Sequence, residues 1–162
     1  MLAVEAAQAL LSAFSAQLKA EGVAVPSRRY VAPGQKTVWD GEQFAVCLQD
    51  IVRGQPGAPQ TTTSWPVPTV LAAVFVIELV RPAPMLDNEA ISEAMIPDEA
   101  ELTSAGLGTL ADAQSLVKAA LVVQQSHTIA EAGMGFAIDG CSTLGPEGGF
   151  SATALRLTIS LD

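Results

Sequence analysis

The sequence is poor in the residues that build metal and redox sites. It contains one histidine, His127, and two cysteines, Cys47 and Cys141, among 162 residues. The cysteines have no metal-binding or redox spacing, so we expect both to pack as small apolar side chains, with a disulfide as the alternative. A metal site usually needs several histidine or cysteine ligands. We therefore expect folding without a metal or cofactor, and an exposed His127 near a helix end.

Basic residues are also scarce. Lys and Arg number 8 against 17 Asp and Glu, which gives a formal net charge of −9 and a pI near 4.4. Such a chain has no basic face that could neutralise many phosphates. We therefore expect no wrapping of nucleic acid.

Familiar catalytic and phosphate-binding motifs are missing as well. The chain has no Gly-x-Ser-x-Gly, Cys-x-x-Cys or His-x-x-x-His sequence, and no Lys-Ser or Lys-Thr pair follows Gly148-Gly149. We expect no enzyme, although a cleft that gathers several polar side chains would favour one. Glu78 stands out as a carboxylate inside an apolar run. We expect it to pair with Arg81 or to reach solvent, because buried charges need partners.

The longest apolar run predicts the centre of a sheet. It lies between Pro68 and Pro82 and reaches only about 11 residues before Arg81, whereas a membrane-spanning helix needs roughly 20. Apolar residues occupy both alternating positions, as in a strand covered on both faces. The first residues lack a basic start and carry Glu5, so we predict neither a secretion signal nor a membrane partner.

Helical periodicity predicts two helices. The first begins at Leu2 and ends at Gly22, with an apolar stripe that repeats every fourth residue. The second begins near Pro97-Asp98 or at a cap on Ser104. Its residues expected to face the sheet are Leu110, Ala113, Val117, Ala120 and Leu121, and Asp112 is expected to face outward.

Alternating patterns predict the remaining strands. Residues 23–40 suit an irregular edge segment, and residues 42–52 a strand with one strongly apolar face that pairs with the central strand. Residues 135–144 and 150–161 form a C-terminal hairpin around a turn at 145–149, placed at the sheet edge. Residues 53–66, rich in Gly, Pro and Thr, predict a protruding arm. The expected fold is one α+β domain over residues 1–162, with a mixed, mostly antiparallel β-sheet covered by two α-helices.

Two features suggest contacts with partners. Arg28 and Arg29 are adjacent cations in an acidic chain; they either contact carboxylates or phosphate or are a solvated pair on a loop. Trp65, in the predicted arm, either packs back on the sheet or is offered to a neighbouring subunit.

Four stretches spread over most of the chain carry a resemblance to one protein family. They are residues 29–34 (RYVAPG), 39–46 (WDGEQFAV), the strand 74–82 that ends in Arg-Pro, and 144–150 (LGPEGGF). With the order helix, strands with a long arm, helix and hairpin, they resemble the tail terminator family of long-tailed, siphovirus-type bacteriophages, especially those of actinobacteria.

The resemblance implies a structural virion protein at the head-tail junction. Such a subunit forms a six-fold ring on the last ring of the tail tube, ends tail polymerisation and joins the tail to the neck. Its partners are further copies of itself, the major tail tube protein and a neck or stopper protein, and DNA passes through the channel without sequence-specific binding. The residues expected to make these contacts are Arg28, Arg29, Gln55, Pro56, Thr62, Trp65, Glu147 and Phe150. The alternatives are another connector protein of the same machine, an enzyme, or a small ligand-binding or adaptor domain.

Overall fold

The computed structural model describes residues 2–34, 37–53, 71–84, 97–126, 129 and 135–161. Its elements are α1 (Ala3–Ala20), β1 (Arg29–Pro33), β2 (Gln43–Arg53), β3 (Leu71–Pro82), α2 (Glu99–Gln125), β4 (Phe136–Glu147) and β5 (Phe150–Ser160). The strands form one sheet in the order β1-β2-β3-β5-β4, in which only β1 and β2 are parallel. The predicted α+β class, mostly antiparallel sheet, two helices and C-terminal hairpin are confirmed. The predicted arm beyond Arg53, and His127, lie outside the described residues.

Strand β3 is the central strand, as predicted, and both of its faces are covered. Phe75 and Ile77 are fully buried on one face, while Val74 and Glu78 on the other are 4% and 2% exposed. Successive side chains of a strand point to opposite faces, so a strand enclosed on both sides shows an apolar run without alternation. Strand β2 pairs with it in antiparallel register, also as predicted.

Both helices lie on the same face of the sheet. The predicted stripe of α1 is confirmed, since Leu10, Phe14 and Leu18 are fully buried. These side chains join those of α2 and of the four strands β2 to β5 in one apolar cluster. Gly22 ends the helix region with a φ of 77°, which a glycine adopts without steric cost. We call the opposite face of the sheet, which carries Val76 and Glu78, the far face.

Helix α2 begins where the first of the two predicted starts placed it, since Asp98 caps it and accepts a hydrogen bond from the Glu101 amide. Its predicted sheet-facing stripe is partly wrong, because Leu110 and Leu121 are 57% and 44% exposed. Apolar side chains surround most of this helix, so periodicity fits more than one stripe. The residues that it buries are Leu116, Ala119, Ala120 and Val123.

By length and composition alone, α2 is apolar enough to cross a membrane. Only 28% of its most apolar 18-residue window is buried. A core helix of a globular protein can pass the same test, and α2 packs on the sheet through its buried residues.

The C-terminal hairpin has a tighter turn than predicted. Strand β4 continues to Glu147, which pairs with Phe150, so the turn is Gly148-Gly149 with φ values of 59° and 79°. Positive φ at both positions is typical of a two-residue hairpin turn. The predicted five-residue turn was wrong because the chain makes a bulge between Leu144 and Glu147 and then resumes pairing.

We expect Leu157→Ala to cost about 2–5 kcal/mol of unfolding free energy, because a fully buried core side chain leaves a cavity. Arg156→Ala, on the far face with 56% of its side chain exposed, should cost under about 1 kcal/mol. Denaturant unfolding of both variants checks this. Equal losses would mean that the far face of β5 is packed as tightly as its helix face.

Candidate functional site

A buried carboxylate lies on the far face at the middle of the sheet. Glu78 is 2% exposed and accepts three hydrogen bonds. The donors are the Thr37 amide at 3.3 Å, the Thr37 hydroxyl, and the indole Nε1 of Trp39 at 2.9 Å. These bonds replace the water that a carboxylate loses on burial.

A glutamine on β2 fixes the segment that supplies these donors. The fully buried Gln43 donates from Nε2 to the Thr37 hydroxyl at 2.7 Å and to the Val38 carbonyl at 3.1 Å. Residues 37–39 are therefore held across the far face, where they cover part of β2 and β3. Sequence reasoning missed Thr37, Trp39 and Gln43. The signal was Glu78 itself, because a carboxylate in the middle of a buried strand requires donors nearby, but the sequence does not say which.

The prediction that Glu78 pairs with Arg81 or reaches solvent was wrong. Residues three apart on a strand point to opposite faces, so the two side chains cannot meet. Arg81 instead lies on the helix side, where its Nε donates to Asp112 at 3.0 Å and its other nitrogens to Glu42 at 2.5 Å and to the Ala24 carbonyl at 2.6 Å. Asp112, predicted to face outward, is thus a half-buried partner of this arginine.

Next to Glu78 the far face forms an open cleft of about 410 Å³. It is bounded by β2 on one side and by β4 on the other, with β3 and β5 as its floor. Its lining residues are Gln49, Val76, Glu78, Asp139, Gly140, Cys141, Ser142, Leu144, Ala154 and Arg156.

Most charged groups of the cleft already have partners. Asp139 accepts a hydrogen bond from the Thr158 hydroxyl at 2.6 Å and lies 3.9 Å from the Arg156 Nε. The buried Oε1 of Gln49 accepts no hydrogen bond. Cys141 pairs with Leu155, whose side chain lies on the helix side, so the Cys141 side chain is directed away from this cleft. The cleft therefore offers one free acceptor and a half-exposed guanidinium, and it suits binding of a polar group better than nucleophilic chemistry.

Four of the predicted contact residues are described, and they lie at the same end of the sheet: Arg28 and Arg29 at the β1 edge, Glu147 and Phe150 at the β4–β5 hairpin near the other edge. Arg28 forms an ion pair with Asp40 and lies over the Tyr30 ring at 5.5 Å, and Arg29 begins β1. Glu147 and Phe150 flank the hairpin turn, next to the end of β3. Four strand spacings of about 4.8 Å separate the edges, which gives roughly 19 Å. The predicted contact residues outside the described part of the chain are Gln55, Pro56, Thr62 and Trp65.

Among the residues that the structure describes, no group of three or more His, Cys, Asp or Glu side chains is placed to hold a metal ion. No protein-family model matches the chain, and no curated protein matches it.

Glu78→Gln should cost about 1–3 kcal/mol of unfolding free energy, because an amide NH₂ would face N–H and O–H donors that now point at a carboxylate oxygen. Urea unfolding followed by tryptophan fluorescence measures the loss. Glu99→Gln, at an exposed site in the first turn of α2, is the matched control and should lose much less. Equal stability of Glu78→Gln and the parent would contradict the structural role of the carboxylate.

Alkaline pH should destabilise the fold through Cys47. Burial, and secondarily the charge of Glu78, raise the pKa of this thiol from 9.0 to about 11. The folded state therefore holds the proton more tightly than the unfolded chain, so this contribution is complete below pH 9.0 and is lost as pH rises through about 11.

The measurement is the unfolding free energy of the parent and of Cys47→Ala at pH 8 to 11. Because the two proteins differ only at residue 47, the difference between their curves isolates the Cys47 thiol. The parent should lose more stability than Cys47→Ala as pH rises. Parallel curves would show that Cys47 makes no such contribution.

Proposed function

We propose that this chain is the tail terminator subunit of a long-tailed bacteriophage. In this role it forms a six-membered ring on the end of the tail tube, stops tail polymerisation and joins the tail to the neck. The observation that carries the proposal is that the four stretches of the family resemblance are neighbours in the structure. They form β1, the start of β2 with the preceding residues 39–42, most of β3, and the tip of the β4–β5 hairpin.

The surface of the subunit supports a role in assembly. Within the described residues, β1 and β4 each pair on one side only, which leaves two open sheet edges. Helix α2 exposes Leu107 and Leu110 by 62% and 57%. Open edges and exposed apolar side chains are typical of surfaces that other chains cover.

The charge of the chain is compatible with a DNA channel. A wall past which DNA slides should not bind phosphate strongly, because each neutralised phosphate adds affinity. A subunit with a net charge of −9 meets this requirement. The protein partners in the proposed role are further copies of the chain, the major tail tube protein and a neck protein, and its place is the virion.

Size-exclusion chromatography with light scattering and negative-stain microscopy tests the ring. We expect rings of six subunits, and we expect these rings to stop elongation when they are added to polymerising tail tube protein from the same phage. A chain that stays monomeric at high concentration and leaves tube length unchanged would overturn the proposal.

Deleting residues 55–64 should convert the ring to folded monomers, because the predicted arm supplies subunit contacts. A variant in which the same residues are replaced by a Gly-Ser segment of equal length separates loss of contacts from a shortened connection. Light scattering gives the masses, and circular dichroism checks the fold. Rings of parental mass in both variants would show that the arm is not the interface.

Two alternatives make different predictions. Another connector of the same machine would form rings that bind a neck protein but leave tube elongation unchanged. A small ligand-binding domain is favoured by the cleft beside Glu78, with its unpartnered Gln49 oxygen and half-exposed Arg156. For that function, thermal-shift screening should find a ligand whose stabilisation disappears in Arg156→Ala.

A further inference from the structure

The outer edge of β1 presents backbone groups at alternate residues. Phe44 donates its amide to the Arg28 carbonyl at 2.9 Å, and Gly34 donates to the Leu48 carbonyl at 3.0 Å. In a parallel pair, bonding to the neighbour alternates along the strand, so the even-numbered residues of β1 face β2. The amides and carbonyls of Arg29 and Val31 therefore point away from the sheet. Pro33, the next residue in this series, has no amide to expose.

The outer edge of β4 has the same arrangement. Ser160 donates to the Gly135 carbonyl at 2.7 Å, and Leu161 donates to the Leu71 carbonyl at 2.8 Å, so the even-numbered residues of β5 face β4. Arg156 lies opposite Gly140, and Ala154 lies opposite Ser142. Gly140 and Ser142 therefore bond to β5. Cys141 and Thr143, which alternate with them along β4, direct their amides and carbonyls outward.

The outward-facing residues of the two edge strands lie in the same rows across the sheet, and the two strands run in opposite directions. Across the sheet, Arg29 is in the same row as Thr143, and Val31 is in the same row as Cys141. Strand β1 runs opposite to β4, because β2 and β5 share a direction and β4 is antiparallel to β5. A second copy placed beside the first in the same orientation would therefore bring antiparallel strands together without a shift in register.

The edges also carry opposite charge. Arg28 and Arg29 stand at the start of β1, whereas β4 contains Asp139 and Glu147 and no Lys or Arg. Arg28 already pairs with Asp40, but Arg29 forms no ion pair within the described residues. When β1 faces β4, Arg29 therefore meets no like charge; in the matched rows it stands opposite Thr143, and Asp139 keeps its own partners Thr158 and Arg156.

We propose that β1 of one copy pairs with β4 of a second copy, with Arg29 opposite Thr143 and Val31 opposite Cys141. Each of these two pairs exchanges two backbone bonds, about four in all. The contact is head-to-tail, so its repetition closes a ring or extends a filament. The inference rests on the proposed ring and identifies the strands that join its subunits.

Cross-linking of Val31→Cys with the native Cys141 tests the register. Opposed residues of a hydrogen-bonded antiparallel pair have Cα atoms about 5.5 Å apart, within the range of a disulfide. Mild oxidation should give a ladder of covalent oligomers up to the full ring on a non-reducing gel. The matched controls Val31→Cys/Cys141→Ser and Val38→Cys should give no ladder; Val38 is 77% exposed but lies off the edge.

Two results would overturn the pairing. One is a parent protein that forms a covalent dimer through Cys141 alone, since that requires β4 to pair with β4. The other is a ring of normal mass in which Val31→Cys gives no ladder.

Thr143→Pro provides a second measurement, because the Thr143 amide faces outward, away from β5, and bonds to no strand within the described part of the subunit. This variant should lose the ring but keep the circular dichroism spectrum of the folded subunit, while Thr143→Ala should keep both. Intact rings in Thr143→Pro would overturn the edge pairing and leave the proposed ring standing. Monomers in the parent itself would overturn both.

Discussion

Burial of β3 on both faces is the constraint that organises this molecule. The strand can be dry on both sides only if each face receives its own cover. On the helix side, Phe75 and Ile77 pack under α1 and α2. On the far side the described residues provide no third helix; residues 37–39 cover the strand at Glu78, while Val76 lines the open cleft. Glu78 holds that segment in place, because its carboxylate accepts bonds from Thr37 and Trp39.

The end of β3 links the two layers in a second way. Arg81 follows the buried part of the strand and reaches the loop after α1, the turn before β2 and the side of α2. Asp112 accepts hydrogen bonds from two nitrogens of Arg81, at 3.0 and 3.3 Å, and only 13% of the Asp112 side chain is exposed. Such half-buried, bidentate pairs fix geometry more strongly than exposed ion pairs. Three segments that are distant in sequence are therefore positioned by one guanidinium.

The sequence was a good guide wherever one kind of pattern dominated. The period of α1 and the unbroken apolar run of β3 left a single solution, so stripe and position were predicted correctly. In α2, Leu107, Leu110 and Leu121 form a second apolar stripe on the side away from the buried residues, so only the sheet decides which side is buried. The partners of Glu78 come from a segment without periodicity, about 40 residues earlier in the chain. Side-chain pairing over such a distance depends on the folded sheet, so local patterns could not predict it.

The faces and the edges of the sheet differ in how fully their groups are satisfied within the subunit, and this difference indicates a function in assembly. The helix face buries its core between the helices and the sheet but leaves Leu107 and Leu110 of α2 exposed, and the far face is partly closed by the Glu78 network. The sheet edges differ, because backbone groups at Arg29, Val31, Cys141 and Thr143 have no partner strand among the residues that the structure describes. Water can satisfy these groups in an isolated subunit, but a strand of complementary direction and register satisfies them with geometry that defines a neighbour's position. A fold whose unsatisfied groups lie along two opposite edges is suited to joining identical copies in series, which is the property that a ring-forming component needs.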